Sequence, residues 1–552
     1  MTASAVNAVA AEDRLTATRF IRPFRTITHA DIGEAGGKNA SLGEMYRSLT
    51  PLGVLVPNGF AITADAYRYV LTSANAWALL HEALDGLDAN DVADLQRRAN
   101  LAYDAVAKTS LPEDLAGQIV GAYRELAEQY GTELSVAVRS SATAEDLPTA
   151  SFAGQHVSYL NVRGERMLLE AYKGCLASLF LERAIHYRVD RGFDHFKVAL
   201  SVGVMKLVRS DRACSGVAFT LDTDTGFRDV VLITGSYGLG ENIVQGNVDP
   251  DEFYVHKTTF QQGHRAVLRR RIGSKALTME LGDAGDLASA TRNRDTSSSD
   301  RRRYCLADTE VFTIADACLK VEHRYGELAG YPVPMDVEWA KDGLDGRIYL
   351  VQARPETVAS RQSGHHIEEY ALQTAATPVA VGRAVGSSVA AGRVHLVAGQ
   401  TGMETFCAGD VLVAETTTPD WEPIMKIASA IVTDRGGRTC HAAIVARELG
   451  IPAVVGCGSA SRRLAELGDV TVSCADGENG RVYAGRLAFE KRITDVGELP
   501  HPPVPIMLTL GDPDALLRAV SCRMTASGSC ALSSSSPTRS AFTRSHCCTR
   551  NV

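Results

Sequence analysis

Thr433-Asp434-Arg435-Gly436-Gly437-Arg438-Thr439-Cys440-His441-Ala442-Ala443-Ile444-Val445-Ala446-Arg447-Glu448-Leu449-Gly450 reads as a glycine turn running into a short helix, with one histidine at the junction. Ala442, Val445, Ala446 and Leu449 recur at helical spacing, Gly450 supplies a stop and Pro452 follows it. Gly436 and Gly437 leave backbone N–H groups pointing at whatever sits before the helix. The helix start adds partial positive charge, and Arg435 and Arg438 stand close in sequence. A phosphate carried on the imidazole would be well placed there, which makes His441 a candidate covalent phosphate carrier. On local grounds the same histidine also suits packing or capping, so the rest of the chain has to decide.

The chain of 552 residues has room for roughly three to four domains, and 45% apolar with 22% charged residues is a soluble globular composition. Lysine plus arginine number 57 against 65 acids, net −8, so no broad basic surface for nucleic acid or anionic membrane is implied and any phosphate site must be local. No apolar run approaches about 18 residues, and residues 1–19 lack the pattern of a cleavable signal, so a cytoplasmic location is expected. The 12 cysteines lack metal-ligand spacing and read as reduced thiols; the adjacent His365 and His366 read as a surface pair.

The fold class is α/β and α+β multidomain. Residues 20–205 mix short strands with helices as one lobe, including an amphipathic helical region over 93–130 in which Leu95, Leu101, Ala105 and Val106 recur near the 3.6 period. Residues 206–358 turn to strands and imply a second, sheet-rich lobe. Within it, 274–303 is polar and charged and is expected to be an exposed insertion. Residues 359–378 show no clean period and are expected to be a linker, whose ~18 residues span at most about 60 Å when extended. A compact α/β domain over 379–488 follows, then 489–552.

Four further segments carry chemistry. Gly36-Gly37-Lys38-Asn39-Ala40-Ser41-Leu42-Gly43 joins a glycine turn and a lysine to a helical start without Walker spacing. Val138-Arg139-Ser140-Ser141-Ala142-Thr143 follows a β-like run, 134–138, and offers an arginine for bidentate phosphate contact; an ordinary capped turn is the alternative. Residues 151–155 form a small-residue loop able to close over a triphosphate, and Gly238-Leu239-Gly240-Glu241-Asn242 is a glycine loop after a strand. Met335-Asp336-Val337-Glu338-Trp339 and Tyr349-Leu350-Val351-Gln352-Ala353-Arg354-Pro355 read as two strands. Alternation puts Asp336 and Glu338 on one face of the first, and Gln352 and Arg354 on one face of the second. If those faces coincide, oxygen ligands for Mg²⁺ meet an arginine for a transferring phosphate; exposed polar faces of a hairpin are the competing reading.

Taken in order, these segments resemble the phosphoenolpyruvate synthase (pyruvate, water dikinase) family from about residue 20 to 515. The resemblance implies an ATP-grasp nucleotide-binding domain of two lobes, a swivelling phosphohistidine domain and a C-terminal barrel that binds pyruvate. It implies conversion of ATP, pyruvate and water into AMP, phosphoenolpyruvate and phosphate. By matching position, Lys38 and Arg139 would hold the ATP phosphates, Glu338 and Gln352 would ligate Mg²⁺, Arg354 would stabilise the transferring group, and His441 would become the tele-phosphohistidine. The strand over 201–208 would line the adenine, with Met205 where relatives are expected to carry glutamine. Thr439 corresponds to the position that a regulatory kinase/phosphorylase modifies in similar proteins. A homodimer stays open, and neither nucleic acid nor membrane is an expected partner.

After residues 503–514, which resemble the family's entry into its barrel, the chain changes character, becoming rich in serine and cysteine from Ser521. The remaining ~50 residues are far fewer than the about 250 of such a barrel. A frameshifted or truncated reading frame with a disordered C-terminal tail is therefore expected, and with it an activity limited to the ATP/histidine half-reaction. An antibiotic-inactivating (rifampin-type) phosphotransferase and an inactive remnant or interaction protein are the alternatives. In the former an acceptor-binding domain separates the two modules, whereas here only a short linker follows Arg354.

Overall fold

The computed structural model describes residues 15–88, 91–132, 134–143, 157–224, 226–283, 286–357, 366–399, 402–403, 405–418, 421–438 and 440–495, with two short strands, Met507–Thr509 and Ala526–Gly528. The expected loop at 151–155, the His365–His366 pair, Thr439 and most of the expected tail lie outside the described residues or side chains.

In the first lobe, five strands form an antiparallel sheet in the order Ile21–Pro23, Gly59–Ile62, Leu200–Lys206, Val136–Ala142, Ser158–Val162. Their period-2 alternation separates two cores. Phe60, Ile62, Val136, Val138, Val202 and Val204 join the helix Gly164–Ser178 on one face, while Ala61, Ala137 and Met205 face the other way. That second face receives the helix Ile32–Leu49, which is kinked at Gly36 (φ 73°, ψ 163°). A side chain at Gly36 would strike the Ser141 carbonyl at 2.2 Å, so glycine permits both the kink and the approach.

The helical region over 93–130 is two helices, Val92–Ala107 and Glu113–Tyr130, divided before Pro112. Its buried stripe is Leu95, Ala99, Ala102 and Val106, whereas Leu101 is 54% exposed; the small alanines, and not the leucine, complete the 3.6-residue repeat.

The second lobe carries a six-stranded antiparallel sheet in the order Ile348–Pro355, Met335–Lys341, Cys214–Phe219, Val230–Tyr237, Asp251–His256, Arg269–Arg271. The helix Asp308–Ala329 covers it, burying Val311, Ile314, Cys318, Val321 and Tyr325 in the core shared with Met335, Val337, Leu350 and Ala353. Ser41 joins the lobes, with Oγ 2.5 Å from both the Ala353 carbonyl and the Tyr325 hydroxyl.

The stretch 274–303 differs from the exposed insertion expected. It holds a hairpin, Leu277–Leu281 with Thr291–Asp295, in which Thr278 and Met279 are buried while Arg292, Asn293 and Arg294 face out. Lys275 is fully buried with its ammonium 2.5 Å from Asp251 Oδ1. Polar composition concealed an ordered element because its inward positions are threonine, methionine and a paired lysine.

Residues 380–484 close a seven-stranded barrel in the order Ala380–Val385, Ala453–Val455, Ala430–Thr433, Val411–Ala414, Val389–Leu396, Asp469–Ser473, Asn479–Ala484. Alternation again assigns the faces. Val411, Val413, Ala430, Val432 and Val454 share one core, while Leu412, Ala414, Ile431, Ala453 and Val455 pack with the helices Glu422–Ile427 and His441–Leu449 in another. The segment expected as an irregular linker carries the strand His366–Leu372, which pairs antiparallel with Phe489–Asp495. Residues 366–372 of that segment are thus part of a two-stranded ribbon with the strand that leaves the barrel domain.

Candidate functional site

The hairpin strands Met335–Lys341 and Ile348–Pro355 pair in a register that sets Glu338 opposite Gln352 and Asp336 opposite Arg354. The two polar faces expected from alternation are thus one face. Arg139 reaches it from the first lobe, its strand extending through Ala142 and not ending at 138. Its guanidinium donates to Gln352 Oε1 at 2.7 Å, Glu338 Oε2 at 3.2 Å and the Val351 carbonyl at 3.1 Å. Asp336, on the same strand face as Glu338, is engaged by Arg354, which donates from Nε and Nη2 at 2.9 Å. Burial and the neighbouring Glu338 raise the Asp336 carboxyl while Arg354 opposes them.

Lys38 lies on the turn just after the Gly36 kink, half-buried, with its ammonium in electrostatic reach of Cys175. Its neighbour Asn39 fixes this turn: the backbone N–H donates to Ser141 Oγ at 3.2 Å and the side-chain amide to Ser201 Oγ at 3.1 Å. Lys38 stands on the helix Ile32–Leu49, which packs against the strand of Arg139. Met205 is buried on the sheet face toward that helix.

Glu241 follows Gly238 and Gly240 at the start of the helical turn Glu241–Val244. Burial pushes its carboxyl up, with Glu338 adding to the rise and Arg139 opposing it. Sequence reasoning quoted this loop without singling out the acid; an acidic side chain directly after a glycine turn is the signal that would have found it. Glu338 and the Gln352 amide, held together by Arg139, present oxygen atoms of the kind that could ligate a hard divalent cation keeping water or phosphate ligands. Among the described residues no group of three or more His, Cys, Asp or Glu gathers as a metal cluster.

His441 opens the helix His441–Leu449, behind the N-cap Cys440 and ahead of the left-handed Gly450 (φ 70°). The ring is half-buried, and its Nδ1 lies 3.0 Å from the hydroxyl of Thr417, itself 3% exposed. Thr417 is 24 residues away in the chain, and nothing in the sequence announced it. Cys440 is a packing residue, its thiol raised by burial.

The histidine loop meets the same glycine loop that supplies Glu241. A Cβ on Gly246 would lie 2.4 Å from Cys440 Cβ, and one on Gly437 would lie 2.8 Å from Pro250 Cδ. Burial raises the carboxyl of Glu448, two turns beyond His441, and Arg354 and Glu356 of the second lobe lie within electrostatic range of it along with Glu422 and Arg191. The structure thus brings Arg139, Glu338 and Gln352 into contact, sets Arg354 beside them, and packs the loop before His441 against the 246–250 segment of the second lobe.

Residues 32–374 match the family described as pyruvate phosphate dikinase, AMP/ATP-binding domain. The chain belongs to that family. Residues 406–477 match a second family, PEP-utilising enzyme, mobile domain, which covers most of the barrel and its histidine helix. Among relatives of this dikinase-type family, the chain is 47% identical over 502 residues to a phosphoenolpyruvate synthase of Synechocystis sp., covering 90% of this chain and 61% of that protein. It is 51% identical over 484 residues to that of Pseudomonas aeruginosa, with 88% and 60% covered, and 48% identical over 484 residues to that of Escherichia coli, with 88% and 60% covered. The chain spans about three-fifths of the length of these curated relatives. No helix among the described residues is long and apolar enough to cross a membrane.

Proposed function

We propose that this chain uses ATP to phosphorylate His441, as the first half of a pyruvate, water dikinase reaction that turns ATP, pyruvate and water into AMP, phosphoenolpyruvate and phosphate. The observation that carries the proposal is the shared glycine loop. The Glu241 carboxylate is within electrostatic range of Arg139 and Glu338, and Gly246 of the same segment packs against Cys440, the residue before His441.

In this reading Arg139 and Lys38 bind the phosphate chain, and Arg354, oriented by Asp336, meets the charge that develops on the transferring phosphoryl group. Glu338, Gln352 and Glu241 would hold Mg²⁺, which supplies Lewis-acid neutralisation of phosphate oxygens. Thr417 accepts the Nδ1–H of neutral His441, leaving the lone pair on Nε2 for attack. The Nε2–P bond forms at the β-phosphorus as the bond to the α–β bridging oxygen breaks. AMP departs with that oxygen and water releases the γ-phosphate. Splitting the transfer through a covalent carrier lets ATP cleavage and acceptor phosphorylation occur in separate, dry sites. Pyruvate as acceptor follows from the relatives' name, phosphoenolpyruvate synthase. A phosphate on Thr439 would add about −1.5 to −2 charge two residues from His441 and oppose transfer.

Incubation with β-³²P-labelled ATP and Mg²⁺ tests this directly. The wild type takes up label with release of AMP and His441→Ala stays blank; equal labelling of both would overturn the carrier assignment.

A further inference from the structure

Between the strands Cys214–Phe219 and Val230–Tyr237, the nucleotide lobe projects a hairpin loop toward the mobile domain. Asp224 on that loop holds both sides of the histidine segment. Its Oδ2 lies 2.7 Å from Arg438 Nη2, and its Oδ1 lies 2.7 Å from Arg447 Nη2. Arg438 is three residues before His441 and Arg447 six residues after it. The second arginine also donates from Nη1 to the Arg438 carbonyl at 2.5 Å, so the clamp closes on the loop as well as on the helix. The three side chains are largely sequestered, with 17% of Asp224 and 7% of each arginine exposed. Arg438 gains a second hold on the nucleotide lobe, donating to the Tyr254 hydroxyl at 3.2 Å.

Beside the close backbone packing of Gly246 on Cys440 and of Gly437 on Pro250, further ion pairs cross the interface. Arg383 of the barrel reaches Glu252 at 3.4 Å; Arg269 meets Glu478, and Asp190 meets Lys426. None of these pairs involves the histidine segment, and among the described residues only Asp224 pairs with two residues flanking His441. A contact made of ion pairs can be broken and remade without exposing a large apolar face, unlike the packed cores on either side of it.

We propose that Asp224 is a positioning residue for histidine phosphorylation: a two-arginine latch that seats His441 over the nucleotide cleft without contributing to nucleotide binding. The inference rests on His441 being the phosphate carrier. It adds that the carrier's access to nucleotide is governed by Asp224, a carboxylate outside the set of proposed ATP contacts. Burial disfavours the charge on Asp224, but Arg438, Arg447 and Arg383 hold its carboxyl below the usual carboxylate range, so the latch stays charged at neutral pH.

The test uses the full chain and Asp224→Asn, with Asp224→Glu as the conservative rescue and Arg447→Gln as a second route to the same break. Three quantities are read: Mg·ATP affinity, the rate of His441 labelling from β-³²P-ATP, and amide hydrogen exchange over 436–448. The latch predicts Mg·ATP affinity within twofold of wild type, labelling at least tenfold slower in Asp224→Asn and Arg447→Gln, and partial recovery in Asp224→Glu. It also predicts faster exchange over 436–448 in both broken-latch variants, matching the exchange of wild type at high salt. Unchanged exchange and labelling in both variants would overturn the latch, as would loss of ATP affinity in parallel with labelling. The exchange readout does not depend on chemistry. Wild type that never labels, but whose exchange responds to Asp224→Asn, would refute the carrier reading and leave the docking contact standing.

Discussion

Gly246→Ala probes the seating of the histidine loop through a single atom. The glycine has φ 76°, and a β-carbon there falls 2.4 Å from Cys440 Cβ. Carbon atoms in contact prefer about 3.5–4.0 Å, so the loop bearing His441 must retreat by roughly 1 Å. A misplacement of that size costs on the order of 10²-fold in rate when the reacting groups are otherwise aligned. The left-handed backbone adds about 1 kcal/mol of local strain, too little to unfold a lobe anchored by its own core. The assay is single-turnover labelling of His441 from β-³²P-ATP, beside a Mg·ATP binding titration. The expected outcome is near wild-type binding with labelling reduced about 100-fold. Labelling at the wild-type rate would show that this docked arrangement is not the one in which phosphoryl transfer takes place.

Other substitutions probe separate parts of the account. Thr417→Val keeps the shape but removes the hydroxyl 3.0 Å from His441 Nδ1; losing about 1–1.5 kcal/mol of orientation should slow labelling about tenfold, while wild-type kinetics would remove Thr417 from the mechanism. Glu241→Gln should raise the Mg²⁺ concentration needed for half-maximal labelling several-fold, and an unaltered metal dependence would exclude Glu241 from the donor set. Burial and the nearby Arg188 lower His195 from 6.5 to about 4, and its Nδ1 accepts from Arg188 Nε at 3.0 Å. The unfolded chain therefore binds the extra proton between pH 6.5 and 4, and the stability this group contributes is full above pH 6.5 and falls as acid is added. For a half-buried ring the loss from pH 7 to 5 is on the order of 1 kcal/mol. His195→Gln should flatten that part of the thermal-midpoint profile, and parallel profiles would refute the assignment.

The legible parts of the site were those encoded by local repetition. Asp336, Glu338, Gln352 and Arg354 sit two residues apart in adjacent strands, so the pleat alone placed each pair on one face. The observed register, with Glu338 opposite Gln352, then brought the pairs together. The start of the His441 helix was readable because glycines, a helical apolar repeat and Gly450 all act within about 15 residues. Thr417, Glu241 and Asp224 were not singled out because their partners come from other segments, and no periodicity links a hydroxyl or carboxylate to a residue on a different strand.

The same distinction separates the fold's clear and hidden elements. Short barrel strands such as Val411–Ala414 and Ala430–Thr433 alternate clearly between two cores, yet closure of seven of them depends on pairings that composition does not reveal. Leu101 misled because it is apolar, whereas the stripe that packs is completed by Ala99 and Ala102. The hairpin within 274–303 was hidden by its charge: its outward arginines dominate the composition, and its one buried cation, Lys275, is neutralised by Asp251 from a strand some twenty residues earlier.

Parallel incubations with β-³²P- and γ-³²P-labelled ATP, followed by trypsin and mass mapping, reach the central claim most directly. Acid-labile, base-stable label on peptide 439–447 from the β-labelled nucleotide alone is the predicted result. Label retained from the γ position, or carried on a peptide lacking His441, would contradict the account.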